Sequence, residues 1–488
     1  MTRDLTEVLS AYGVSGGPFA VEDLRIDSRE VRSGDCFVAL QGHQQDGAKY
    51  ASSAIAQGAS YVMAETGSEL NIAPEQTIYI DDLAANLAAI ASQFYGYPSN
   101  KLKLTGVTGT NGKSTTTAMI ANLATLTGSS GAVVGTLGYG KPQDLVPLTN
   151  TTPSNVDLQR ILAYLNSRYQ HVAMEVSSHG LVQGRVDNCD FDVAVFTNLS
   201  RDHLDYHGDM QSYAAAKKAL FSRCNPNYRV INIDDEVGAQ WAQEFAADNL
   251  VVYGRKPEQQ SYEQYVFFSE VNAHPQGLSA KLDTSWGTCQ IDVPLYGEFN
   301  LYNLAAAIAS LLVQGGELQA LADACADLAP VAGRMQPFSA AQKPTCIVDY
   351  AHTPEALALA LQALRAHVPG ELICVFGCGG DRDKGKRPEM ARAAEQYADK
   401  LVITSDNPRS EDPNLIIDDI KAGLIHPEYA LCQPDRAQAI ATAIAAGDEN
   451  SVVLIAGKGH EDYQIIGTER IELCDRQCVT AILKGEKA

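Results

Sequence analysis

The chain has 488 residues, 45% of them hydrophobic and 20% charged, and a formal net charge of −22. That length exceeds one core and suggests domains of about 100 to 200 residues each, the apolar content excludes disorder as the default, and the acidic balance excludes a broad basic face for nucleic acid or an anionic membrane. The eleven cysteines show no paired metal spacing and read as buried thiols, and the charged N-terminus lacks the apolar stretch of an export signal.

Up to about Pro98, short strand-like runs such as Cys36 to Leu40 and Tyr61 to Ala64 alternate with polar turns. An Ala-rich helix over Leu83 to Phe94 follows, and Tyr-Gly-Tyr-Pro-Ser-Asn then reads as a linker. Leu102, Leu104 and Val107 predict a buried strand that runs into Thr105-Gly-Val-Thr-Gly-Thr-Asn-Gly-Lys-Ser-Thr115. Downstream, Ala118, Met119, Ile120, Leu123 and Leu126 predict a helix stopped by Gly128. Glycines in that loop turn backbone N–H groups toward a phosphate, Lys113 adds a charge, Ser114 adds a hydroxyl for Mg²⁺, and the helix N-terminus favours an anion. Gly106 lies one residue further from Gly112 than the strict phosphate-loop pattern requires, so a ligand-free glycine turn stays open as the alternative.

Beyond it, apolar runs alternating with helical patterns to about Ala329 predict a mostly parallel sheet covered by helices. The strand His171 to Val176 places Glu175 as a buried carboxylate near its end. The next strand, Phe191 to Phe196, leads to His203 and then to a helix with Lys217 and Lys218. Parallel order would bring Glu175 and His203 toward the phosphate loop, although a lone loop histidine is more often an ordinary surface residue. Tyr262 to Val293 reads as strands and turns, and Leu304 to Val313 as a buried helix too short to span a bilayer. After a break near Leu328 to Arg334, Cys346 to Val348, Leu372 to Phe376, Leu401 to Thr404 and Val452 to Ile455 read as buried strands, each followed by a polar loop at a sheet's carboxyl end.

Several stretches together resemble the Mur ligases of peptidoglycan synthesis: Gly109-Thr-Asn-Gly-Lys-Ser-Thr115, Glu175-Val-Ser-Ser-His-Gly-Leu181, Asn198 to Gly208, Gly297-Glu-Phe-Asn-Leu-Tyr-Asn303, Gly333-Arg-Met335 and Asp349-Tyr-Ala-His-Thr-Pro354. The resemblance implies an α/β protein of three domains. Residues 1–98 would form a small α/β domain for the UDP end of a substrate, 99–330 a central phosphate-loop ATPase, and 331–488 a Rossmann-like domain for the incoming amino acid.

The resemblance also assigns roles. ATP would lie on Gly109, Thr110, Asn111, Gly112, Lys113, Ser114 and Thr115, with help from Asn300, Asn303, Arg334 and Asp349. Mg²⁺ would be attended by Ser114, Glu175, His203 and Lys217, the last as a carbamate, while Lys218 should be solvated and ordinary. Lys113, Glu175, His203 and Lys217 would form the catalytic group. Ile26, Ser28, His43, Gln44 and Gln45 match contacts to the uridine end, and Thr151, Thr152, Ser177, Gln183 and Arg185 those along a UDP-muramoyl dipeptide. Arg382, Asp406, Asn407, Pro408, Arg409, Gly457 and Glu461 match the members that add meso-2,6-diaminopimelate, whose distal carboxylate suits arginine and whose distal ammonium suits glutamate. On spacing alone, Arg185 reads as a helix-surface arginine, and Asp406 to Arg409 equally as a proline turn.

The implied reaction is phosphorylation of the dipeptide's γ-carboxylate by ATP, followed by attack of the amine. Closure of the C-terminal domain during turnover, a bacterial cytoplasmic monomer, and small-molecule partners without nucleic acid or membrane insertion are expected. Two alternatives stay open: another Mur-type or folylpolyglutamate-type ligase, and a switch protein that hydrolyses ATP without ligating.

Overall fold

The computed structural model describes residues 2–41, 46–246, 249–259 and 261–486. The chain divides into two compact units. The first comprises Met1–Tyr253, Tyr262–Tyr265 and Ala306–Gly316; the second comprises Gly254–Ser261, Val266–Ala305 and Glu317–Ala488.

In the first unit, the strands Leu24–Arg25, Cys36–Ala39, Tyr61–Glu65 and Thr77–Ile80 form a parallel sheet in chain order. The helix Leu83–Phe94 covers it by burying Leu83, Leu87, Ile90, Ala91 and Phe94, positions that share one face at helical spacing. The expected linker is not an exposed tether. Pro98–Lys101 is a 3₁₀ turn with Pro98 and Ser99 buried, and Ser99 Oγ accepts the Asp190 N–H at 3.1 Å. The proline suits the first position of such a turn, and the serine finds a partner that lies far away in sequence.

The larger sheet of this unit runs in the order Asp144–Val146, Gly138–Lys141, Gly131–Gly135, His171–Glu175, Lys103–Thr108, Val193–Phe196, Tyr228–Asn232 and Leu250–Arg255. From Gly131–Gly135 onward it is parallel, as expected, and its strands are near-continuous buried runs because helices cover them. The first two strands are an antiparallel extension. Strand order departs from chain order on either side of Lys103–Thr108: Glu175 pairs with Val107, and Phe196 with Thr108. The segments after Thr108, Glu175 and Phe196 therefore leave the sheet at one edge, the switch point where ligands of open α/β sheets bind. The helix Lys113–Leu126 starts there and ends before Gly128, whose φ of +88° is a left-handed stop.

In the second unit, Gln264–His274, Gly277–Thr284 and Gly287–Val293 pair as antiparallel strands. Its main sheet runs Gln336–Phe338, Thr345–Asp349, Val452–Ala456, Leu372–Phe376, Lys400–Ile403 and Ala430–Cys432, all parallel except the first. One apolar layer packs under the helices Pro354–Arg365, Lys386–Tyr397 and Pro413–Lys421, and a second under Arg436–Ala446 and Asp475–Leu483. A hairpin, Tyr463–Ile466 with Glu469–Glu472, follows the last parallel strand. Among the described residues no helix is long and apolar enough to cross a membrane.

Candidate active site

The phosphate loop is braced from below by the segment after Phe196. Thr110 N donates to Asn198 O (2.9 Å), Asn111 N to Asn198 Oδ1 (3.0 Å), and Thr197 Oγ1 to Asn111 O (2.6 Å). Gly109, at φ +149°, cannot be replaced without collision: a Cβ there would lie 1.9 Å from Thr197 Oγ1. Two lysine amino groups converge on this loop. Lys113 Nζ donates to Gly109 O and Thr110 O, each at 2.8 Å, and Lys217 Nζ donates to Gly109 O at 2.9 Å. Lys217 is 1% exposed against the Tyr213 ring. Burial, reinforced by the charge of Lys113, pulls its pKa down to about 6, so at neutral pH it is mostly a neutral amine.

Glu175, 3% exposed, lies at the end of its strand as the sequence predicts. Its Oε1 accepts from Ser114 Oγ and Thr136 N, each at 2.9 Å, and its Oε2 from Thr136 Oγ1 at 3.3 Å. Gly135 makes room for it, since a Cβ there would stand 2.2 Å from Oε1. The same hydroxyl network reaches the residues assigned to the peptide end. Thr136 Oγ1 is 3.0 Å from Thr151 Oγ1, Thr152 Oγ1 lies 3.0 Å from Glu175 O, and Ser177 N donates to Thr152 Oγ1 at 2.9 Å. Arg185 is not an ordinary surface arginine: Nη1 donates to Thr152 O (2.7 Å), and Nε and Nη2 to Gln183 Oε1 (2.9 and 2.6 Å).

His203 stands on the loop after Asp202, at φ +53°, with its side chain 48% exposed. Its ring packs edge-on to His179 at 5.0 Å, and its Nε2 lies 3.5 Å from Asp202. No bond joins it to Glu175 or Ser114, and among the described residues no group of three or more His, Cys, Asp or Glu is placed to hold a metal. Lys218 is partly exposed, pairs with Glu244 and lies over the Phe245 ring. Of the residues matched to a uridine end, Ile26 packs on the N-terminal core and Ser28 opens a 3₁₀ turn capped by Asp27. His43, Gln44 and Gln45 lie outside the described residues.

The second unit carries the other two groups. Asn300 and Asn303 are buried one turn apart: Asn300 Nδ2 donates to Tyr296 O (2.8 Å), and Asn303 Nδ2 to Asn300 Oδ1 (3.1 Å). Asp349 accepts from Met335 N (2.7 Å) and Ala351 N (2.9 Å), and Arg334 lies over the Tyr350 ring.

The residues matched to the amino acid gather at the carboxyl ends of Leu372–Phe376, Lys400–Ile403 and Val452–Ala456. Asp406, Asn407 and Pro408 are buried, while Arg409 is half-buried and donates to Gly380 O at 2.8 Å. Arg382 is exposed on the neighbouring loop. Gly379 lies between the two arginines, for a Cβ there would be 3.0 Å from Arg409 Nη1 and 3.6 Å from Arg382 Cγ. Gly457, at φ +112°, lies against Asp406 Oδ2.

Three supports of this cluster escape sequence reasoning. Arg387 is fully buried, grips Glu411 through both terminal nitrogens (3.0 and 2.8 Å) and bonds Gly379 O. The bond to Arg387 holds the Glu411 carboxyl down at about 2. Arg436 and Asp475, both fully buried, form a two-pronged pair (2.7 Å each), and Arg436 also bonds Ser405 O and Ala456 O. Lys458 is buried beside Glu461. Glycines on either side of Lys458 were a visible signal; for the two arginines there was none, because their partners are distant in sequence.

Family models match along most of the chain: Mur ligase family, catalytic domain, over residues 21–95; Mur ligase middle domain over 107–311; and Mur ligase, glutamate ligase domain, over 333–459. A solved UDP-N-acetylmuramoyl-L-alanyl-D-glutamate–2,6-diaminopimelate ligase is 34% identical, with 99% of each chain covered and a TM-score of 0.73. The UDP-N-acetylmuramoylalanyl-D-glutamyl-2,6-diaminopimelate–D-alanyl-D-alanyl ligase from Acinetobacter baumannii is 17% identical over 94% of this chain and 96% of its own, with a TM-score of 0.68. Folylpolyglutamate synthase from Mycobacterium tuberculosis, complexed with ADP and AMPPCP, is 19% identical over 76% of this chain and 91% of its own, at 0.59.

Proposed function

The chain belongs to the Mur ligase family of ATP-dependent, amide-forming enzymes, and from that premise we propose that it joins meso-2,6-diaminopimelate to the D-glutamate γ-carboxylate of UDP-N-acetylmuramoyl-L-alanyl-D-glutamate. The observation that carries this choice of amine is the acceptor cluster, with Arg409 and Arg382 on either side of Gly379 and the carboxylates Asp406 and Glu461 nearby. Two arginines suit a distal carboxylate and the acids a distal ammonium, and diaminopimelate has both. The 34% identity to a diaminopimelate ligase supports the same reading, whereas the relatives below 20% support the fold alone.

In this reading residues 1–98 take the uridine end, 99–330 bind ATP, and 331–488 bring the amine. Thr151, Thr152, Ser177, Gln183 and Arg185 line up the muramoyl dipeptide beside the phosphate loop. Its γ-carboxylate oxygen attacks the terminal phosphorus, ADP leaves, and the amine then displaces phosphate from the acyl phosphate to form the amide. Lys113 and the loop amides neutralise charge on the transferring phosphoryl group, so catalysis is mainly positioning and electrostatics.

Mg²⁺ fits the hard oxygen donors that meet at the loop, the Ser114 hydroxyl and the Glu175 carboxylate. His203 and a carbamate on Lys217 would complete the proposed donor set, and the ion, when bound, would further neutralise triphosphate charge. Lys217 is suited to that modification, since only a neutral amine adds to CO₂, releasing a proton as the carbamate forms.

Ligation assays with diaminopimelate, lysine and D-Ala-D-Ala side by side test the proposal. Diaminopimelate alone should give substantial product, and ATP should turn over little without an amine. Arg409→Ala should lower kcat/KM for diaminopimelate by about 10²-fold or more; an undiminished value would overturn the assignment of the amine site.

A further inference from the structure

Lys458 has no part in the chemistry just described, yet its side chain is fully buried. It lies between two glycines at φ +112° and +52°, a tight turn that brings its backbone against the acceptor cluster. Its Nζ is 2.9 Å from Glu461 Oε2, 3.2 Å from Asn407 Oδ1 and 3.9 Å from Asp406 Oδ1, and 5.4 Å from the centre of the Tyr463 ring. Three oxygen acceptors and an aromatic face suit an ammonium ion. Asn407 closes the arrangement: its Nδ2 donates to the same Glu461 Oε2 at 3.1 Å, and its Oδ1 also accepts the Ile465 N–H at 3.0 Å. Both bonds to Glu461 thus fall on one carboxylate oxygen, which leaves Oε1 uncommitted among the described residues.

Fully ordering a lysine and stripping its water is costly, so its contacts must compensate. One consequence is electrostatic. Apart from the supporting pairs Arg387–Glu411 and Arg436–Asp475, the cluster's charged side chains are Arg382, Arg409 and Lys458 against Asp406 and Glu461, a net charge of one positive that would vanish without Lys458. A distal group carrying both carboxylate and ammonium is neutral and can satisfy an arginine and Glu461 together. A lone distal ammonium adds a second positive charge and leaves the arginines uncompensated.

We propose that Lys458 is a specificity-determining residue: an internal ammonium that half-neutralises the acidic end of the acceptor site, so that amines with only a distal ammonium are rejected and distal zwitterions admitted. The inference rests on the acceptor-site reading given above. It adds a repulsive element to the attraction that the arginines supply, the arrangement by which binding sites exclude near-cognate ligands.

The test compares kcat/KM for diaminopimelate and lysine in the wild-type protein, Lys458→Met and Lys458→Arg. The diaminopimelate-to-lysine ratio should fall by about tenfold or more in Lys458→Met and recover in Lys458→Arg, with KM for ATP held within about twofold. A Lys458→Met enzyme that ligates diaminopimelate with an unchanged ratio overturns the inference and leaves the acceptor reading standing. Should Lys458→Met not fold, competition in the wild-type protein decides. There, 2-aminopimelate, which keeps the distal carboxylate and lacks the ammonium, should inhibit at concentrations about tenfold lower than lysine; equal or tighter binding of lysine overturns the inference. A wild-type protein that ligates a different amine and ignores diaminopimelate fails the acceptor reading itself, and this inference with it.

Discussion

Lys217 and Lys113 place two amino groups on the carbonyl of Gly109, and loss of solvent, reinforced by the charge of Lys113, pulls the pKa of the buried Lys217 down. Burial also separates Lys217 from Lys218, its partly exposed neighbour on the same helix. Lys217→Gln should lower kcat by about 10²-fold, whereas Lys218→Gln, which breaks only a partly exposed pair with Glu244, should stay within about twofold. A ¹³C carbamate resonance raised by labelled bicarbonate should be present in the wild-type protein and absent in Lys217→Gln; a variant that keeps full turnover would remove Lys217 from the site. Glu175, Lys113 and Ser114 were legible in the sequence because each belongs to a local signal, a strand end or a glycine-rich loop. Thr136 was not, although it donates twice to Glu175, because its only sequence cue is a hydroxyl after a glycine.

At the scale of elements, the turn before Phe299–Val313 hangs on a histidine from another helix end. His367 is buried, its Nε2 accepts the Gly297 N–H at 3.1 Å, and its Nδ1 donates to His274 O at 3.0 Å, which fixes one neutral tautomer. Burial holds its pKa below the usual 6.5. The unfolded chain therefore binds a proton that the folded chain refuses, so this contribution to stability is complete above about pH 6.5 and is lost as pH falls toward the depressed folded value. Unfolding free energy measured in denaturant should decline with acidification by up to about 1.4 kcal/mol per pH unit from this group. His367→Gln, whose amide can accept from Gly297 and donate to His274, should remove that increment and keep KM for ATP; an identical slope in the variant would refute the pin. Legibility at this scale followed burial. Leu372–Phe376 and Val452–Ala456 were readable as unbroken apolar runs, and the helix Lys113–Leu126 by its glycine stop. The order of strands was not readable, because the insertion of His171–Glu175 between Gly131–Gly135 and Lys103–Thr108 depends on packing between segments far apart in sequence.

For the molecule as a whole, the proposed function requires a net charge of −22 to coexist with two anionic substrates. Repulsion from the summed charge acts over tens of ångströms, whereas the attraction of Lys113, the loop amides and the arginines acts within a few. Salt separates these ranges, because the screening length falls from about 30 Å at 0.01 M to about 8 Å at 0.15 M. Moderate salt should therefore weaken the long-range repulsion while leaving contacts at the loop largely intact. With Mg²⁺ held in excess, kcat/KM for ATP should rise by about twofold between those ionic strengths, opposite to a nucleotide site set in a basic surface. A fall of about tenfold over the same range would show that attraction, not repulsion, governs the encounter, and that the cations of the loop project their field well beyond their own contacts.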